Sequence, residues 1–220
     1  MTLLLLACVP PSTIGLRIDG WLEPAGGGEV HLAAGEMLEG IGTKDWPQGP
    51  GYGVGGSFSL TDRLAVSASA ARYLGLEGVE MELRARVLDE ERAPLTLTWL
   101  AGGSASGSTD SWGIGAQTGF VGSHALGGDL RPYVGFKVNP VKAQDSVYWF
   151  TDASAGATWR PAITPSISGL VLLEATWIHG SGTRVEEGGS EIADMDVAAV
   201  IVAAGMSFGK PSGPLPQPPP

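Results

Sequence analysis

Four ionisable side chains alternate with apolar ones in VEMELRARVL, residues 79–88: Glu80, Glu82, Arg84 and Arg86 against Val79, Met81, Leu83, Ala85 and Val87. Two carboxylates and two guanidiniums at this spacing can pair with one another, line an ion-selective ring, or face water. General acid–base chemistry would fall to the three histidines, His31, His124 and His179, and none stands at a spacing from an aspartate that marks a catalytic pair. No serine sits in a nucleophile elbow, and no His/Cys cluster has metal-ligand spacing. Gly51, Gly53 and Gly56 in GYGVGG match G-x-G-x-x-G. A strand and a TD turn follow them rather than a helix N-terminus, so nothing is there to cradle a phosphate. Residues 184–196, RVEEGGSEIADMD, set Glu186, Glu187, Glu191, Asp194 and Asp196 against Arg184. Such a run can hold Ca²⁺ weakly, and more often it is a solvated loop. The sequence therefore names no catalytic residue, no metal and no cofactor.

A period of two places successive side chains on opposite faces of an extended strand. The same alternation recurs along the chain between turn signals. Segments 29–40, 52–60, 64–74, 79–88, 95–104, 111–122, 130–140, 147–161, 166–180 and 196–209 read as ten strands, with no convincing helix between them. In the seventh, Leu130, Val134, Phe136 and Val138 oppose Arg131, Tyr133, Lys137 and Asn139. In the eighth, Trp149, Ala153, Ala155 and Trp159 oppose Tyr148, Asp152 and Ser154; the ninth sets Val171, Leu173 and Trp177 against Glu174. Both faces of 196–209 are apolar, which leaves its phase open. Turns near 61–63, 89–94 and 161–165 read as compact, and loops at 40–51 and 179–195 as longer. Ten hairpin-connected strands can close into an antiparallel up-and-down barrel with both termini on one side.

The chain has 220 residues, 34 of them glycine, and only 16% are charged, against about 25% in ordinary soluble domains. A net charge of -10 excludes nucleic acid as a partner. Apolar runs are too short for a membrane-spanning helix, but barrel strands need only about 9–11 alternating residues. The choice between a soluble and a membrane barrel depends on which face looks outward. The non-apolar faces are mostly Gly, Ser, Thr and Ala, suited to a crowded barrel interior. Trp99, Trp112, Trp149, Trp159 and Trp177 sit near strand ends on the apolar faces, as in interfacial aromatic girdles.

SFSLTDRLAVSASAARY, with its strand, polar turn and strand, resembles the recurrent hairpin of the OmpA/OmpX-type outer-membrane β-barrel superfamily. Phe208 in AAGMSFGK stands where the resemblance implies an aromatic insertion signal. The resemblance covers about 29–209. It implies an all-β, closed antiparallel up-and-down transmembrane β-barrel of about ten strands in the bacterial outer membrane, with its termini in the periplasm. Some ten-stranded barrels of this kind are proteases with Asp and His at the outer rim. His179 is expected at the outer end of the ninth strand, yet no matching Asp stands out, so no enzyme activity is expected. LLLLAC also resembles a lipoprotein lipobox, which implies lipidation of Cys8.

The expected organisation is a truncated lipoprotein signal (1–8), a linker (9–28), the barrel (29–209) and a Pro-rich disordered tail (210–220). Glu80, Glu82, Arg84 and Arg86 would face the lumen with Arg131, Lys137, Asp152 and Glu174 as a salt-bridge network, because unpaired charges are costly there. Expected partners are the lipid bilayer, its lipopolysaccharide-containing outer leaflet and other envelope proteins. A structural or scaffolding barrel is the first reading, and a small porin-like channel for ions or solutes is the alternative.

Overall fold

A computed structural model describes residues 20–37, 49–73, 76–107, 112–127, 129–143, 146–186 and 189–209. Eleven strands follow in order: β1 (Gly28–Met37), β2 (Gly49–Thr61), β3 (Leu64–Tyr73), β4 (Leu76–Leu88), β5 (Thr96–Gly107), β6 (Trp112–Ser123), β7 (Leu130–Ala143), β8 (Ser146–Trp159), β9 (Ala162–Thr164), β10 (Ile167–Glu186) and β11 (Gly189–Phe208). Each long strand pairs antiparallel with its neighbour, and β11 pairs with both β10 and β1. The wall is therefore a closed ten-stranded barrel. β9 stands outside it, a three-residue partner at the start of β10 within what reads from sequence as a plain turn.

The alternation becomes an inside and an outside. Along β4, Glu80, Glu82 and Arg84 are buried, while Val79, Met81 and Leu83 are exposed. The ambiguous last strand turns Val197, Ala199, Ile201 and Ala203 inward and Val200, Val202, Met206 and Phe208 outward. Its pairing decides this, since Ile201 lies opposite Gly35 and Glu174. Large apolar side chains face in along β10 and β11, with Leu170, Leu172 and Ile178 beside Val197 and Ile201, among the polar Glu174, Thr176 and Ser207. At those apolar positions the expectation of small or polar inward faces fails.

Two other expectations are corrected. Residues 179–195 are not a loop: β10 and β11 continue as a paired hairpin to Glu186 and Gly189, each strand 20 residues long. The backbone register runs unbroken from His179 opposite Asp196 to Glu186 opposite Gly189. Within the supposed linker, residues 20–23 lie in the mouth of the barrel at the terminal end, where Leu22 is buried. The signal and lipidation readings at 1–8, with Cys8, and the tail at 210–220 lie outside the described residues, as does most of the expected loop at 40–51.

Closure depends on tight backbone approach at the β11–β1 seam. A Cβ on Gly205 would lie 2.1 Å from the carbonyl oxygen of Val30 and 2.7 Å from the Cα of His31. Gly205→Val should therefore force the seam apart and cost about 1–3 kcal/mol, as overpacking does. Heat-modifiability on gels measures this as a lower temperature for conversion of the folded to the unfolded band.

Candidate functional site

The exterior is apolar over most of its height. Leu32, Val54, Met81, Ile114, Val134, Phe136, Leu173 and Val202 all face outward and are exposed. The wall is inverted relative to a water-soluble protein, with its charges inside and its large apolar side chains outside. Trp112, Trp149 and Trp177 lie toward the loop end, and Trp99 and Trp159 toward the end that carries the termini. Trp149 and Trp159 stand ten positions apart on β8. At about 3.3 Å per residue and a strand tilt of about 40°, they are about 25 Å apart along the axis. That is the height of the apolar band of a membrane barrel.

Outward charges begin at the loop-end belt. Arg72 lies directly across from Tyr52, and Glu77 across from Arg72. His179, two residues beyond Trp177, stacks on it with ring centroids 5.9 Å apart. Its Nδ1 lies 3.0 Å from Oδ1 of Asp196, the residue directly opposite on β11. This is the Asp–His pair that sequence spacing did not reveal, because only the hairpin register brings the two together. It sits on the outer surface with an aromatic neighbour, which is the setting of a membrane–water interface. His124 is exposed beyond the end of β6, 3.9 Å from Glu90.

Inside, the chain fills its own lumen in three tiers. In the middle tier Lys137, 1% exposed, is the hub: its Nζ donates to Glu80 Oε1 and Glu82 Oε1, both at 2.8 Å. Arg84 Nη2 reaches Glu82 Oε2 at 3.3 Å, and Gln117 donates to Glu82 Oε1 at 3.1 Å. Tyr133 donates to Glu174, which also accepts from Thr176. Asp152 is buried directly across from Lys137. His31 lines a cavity of about 10 Å³ with Ser67, Ser69, Glu80, Glu82 and Arg84. That volume admits about one water.

Toward the loop end, Val141, Tyr148, Phe150, Ile178 and Val197 form a buried apolar cluster. At the terminal end residues 20–23 enter as a strap. Thr98 donates to the Gly20 carbonyl at 2.6 Å, and Arg86 Nη2 to that of Leu22 at 2.8 Å. The Arg131 and Arg86 guanidiniums lie 4.5 and 5.4 Å from the centroid of the Trp21 ring. Arg131 also pairs with Glu90 at 2.8 Å, and Arg160 with Glu23 and Glu29 at 3.2 and 3.1 Å.

Of the eight charges expected to share one network, Glu80, Glu82, Arg84 and Lys137 lie in one cluster with Asp152 directly across from Lys137, Glu174 accepts from Tyr133 and Thr176, and Arg86 and Arg131 lie at the mouth. Sequence reading missed Trp21, Glu29, Glu90 and Arg160, and it set Tyr133 on an inward face without giving it a partner. Glu29 alternates with His31 and Ala33 and was legible as inward-facing, whereas nothing near Trp21 signals a lumen residue.

No protein-family model matches the chain, and no curated protein does. Among solved structures, the outer membrane protease OmpT from Escherichia coli is 11% identical with a TM-score of 0.44, covering 83% of this chain and 95% of that one. The translocator domain of the autotransporter NalP from Neisseria meningitidis is 12% identical with a TM-score of 0.41, covering 89% and 90%. The outer membrane protein OprG from Pseudomonas aeruginosa is 10% identical with a TM-score of 0.37, covering 87% and 98%. At these values the likeness says nothing of activity, ligand or partner. The class rests on the chain's own strand pairing and inverted polarity: a closed ten-stranded barrel built to span a membrane.

Breaking a buried pair on one side costs about 3–5 kcal/mol, because it leaves an uncompensated charge. Lys137→Met should therefore lower the unfolding temperature in detergent sharply, with Glu80 and Glu82 stranded. Combining it with Glu80→Gln, which leaves Glu82 paired with Arg84, should recover most of the loss. Equal thermal melts for the single and double variants would contradict the pairing.

Proposed function

We propose that this chain is an integral protein of the bacterial outer membrane with a structural or scaffolding role, and that its barrel is not a conduit. In this reading the aromatic belts sit at the two headgroup levels. The termini and the strap lie on the periplasmic side, and the loop end meets the lipopolysaccharide leaflet. Partners are envelope proteins reached through the loops and termini, and lipidation at Cys8 adds a second attachment.

The observation that carries the reading is the filled lumen. Three tiers of different chemistry close one narrow tube: cationic side chains around a strap, a neutralised charge cluster, and an apolar cluster. An ion crossing it would have to displace all three.

Four measurements test it. The protein should stay with the outer-membrane fraction through carbonate washing. Val134, 63% exposed on the outer face of β7, should tolerate arginine poorly. Val134→Arg should cost about 2–4 kcal/mol in a bilayer, where a water-facing site would register under about 0.5 kcal/mol. Planar-bilayer recordings should show no steady conductance, and an ion-selective current would favour the small channel instead. Palmitate labelling should be present in the parent chain and lost in Cys8→Ala.

A further inference from the structure

The groups that hold the strap belong to the barrel wall. Thr98 of β5 and Arg86 of β4 take two backbone carbonyls of an extended segment, Gly20 and Leu22. Arg86 and Arg131 present guanidiniums to an indole. Arg160, fixed on the other side by Glu29, takes the carboxylate of Glu23. Leu22 fills a buried position between them. Thr98 thus reads one backbone acceptor, Arg86 the other together with the aromatic ring, Arg131 the same ring, and Arg160 the carboxylate two residues later. That is how a peptide site recognises a sequence.

The strap is not part of the sheet, which begins at Gly28. Glycines in the left-handed region flank it, Gly20 at φ 65° and Gly26 at φ 81°. A Cβ on Gly26 would meet nothing within 4 Å. Packing does not require glycine there, but the backbone turn does. The strap is a short docked segment on a glycine-rich connection, PAGGG, residues 24–28.

We propose that the mouth at the terminal end is a peptide-recognition site, held in cis by residues 20–23 and open in exchange to an extended segment of another protein. That segment carries an aromatic side chain and, two positions on, a carboxylate. The wall's three arginines set the charge preference, and the stack on guanidinium sets the aromatic one. The site stands on the geometry of the mouth and not on the barrel's role in the envelope.

The test uses the full-length barrel in detergent and a labelled peptide of residues 20–25, GWLEPA, blocked at both ends. In the parent the tethered strap competes at an effective concentration of about millimolar for so short a connection, so the peptide should bind weakly or not at all. Trp21→Ala weakens the strap and should bind the peptide at least about tenfold more tightly than the parent. Replacing the peptide's own tryptophan by alanine, or adding Arg131→Ala to the Trp21→Ala barrel, should remove that gain. Should Trp21→Ala fail to give the heat-modifiable folded band, Glu23→Ala loosens the strap at its other anchor and takes its place. A folded, strap-weakened barrel that ignores the peptide overturns the proposal. So does one that binds it equally well with and without Arg131.

Discussion

Everything in this protein depends on a backbone hydrogen-bond ladder that has no end. In a bilayer an unpaired N–H or C=O costs several kcal/mol, so a sheet can span only by closing on itself. Here closure happens where β11 meets β1, with Phe208 opposite Gly28 and Ala199 opposite Met37. Close approach at Gly205 lets the seam form without a kink. Once closed, the tube fixes which face of every strand is inside. The two-residue period then distributes the remaining chemistry.

A ten-stranded tube is narrow, and many of its inward side chains are buried. Charges there persist only as neutralised sets. Lys137 between Glu80 and Glu82, with Arg84 on the far side of Glu82, is such a set. The hydroxyls of Tyr133 and Thr176 serve Glu174 in the same way. Near the loop end the problem is avoided, since Phe150, Ile178 and Val197 leave nothing to neutralise. At the other mouth Arg86, Arg131 and Arg160 meet the strap, which supplies an aromatic face, two carbonyls and a carboxylate. The plug and the arginines are complementary parts, which is why a segment that reads as linker is buried.

The hairpin of β10 and β11 shows the same rule from outside. Its outward face is apolar up to Trp177, then changes to His179 and Asp196 within two residues. The chain continues as paired strand past that level. An acidic composition does not by itself mean that a segment lacks secondary structure.

By itself the sequence determined the strands, their alternation and the class of wall. Alternation, glycine content and tryptophans near segment ends are local properties, and each strand obeys them separately. It also determined that Glu80, Glu82, Arg84 and Arg86 share a face, because a strand allows nothing else. Only the tertiary structure decided which acid meets which base. Lys137 and Glu80 are 57 residues apart and meet across the lumen, and no short-range pattern encodes that distance. The phase of 196–209 was open because both its faces are apolar, and two neighbouring strands had to settle it. His179 and Asp196 became a pair only through the hairpin register. Trp21 was illegible for the same reason: its place depends on Arg86 and Arg131, which come from separate strands and converge only when the barrel closes.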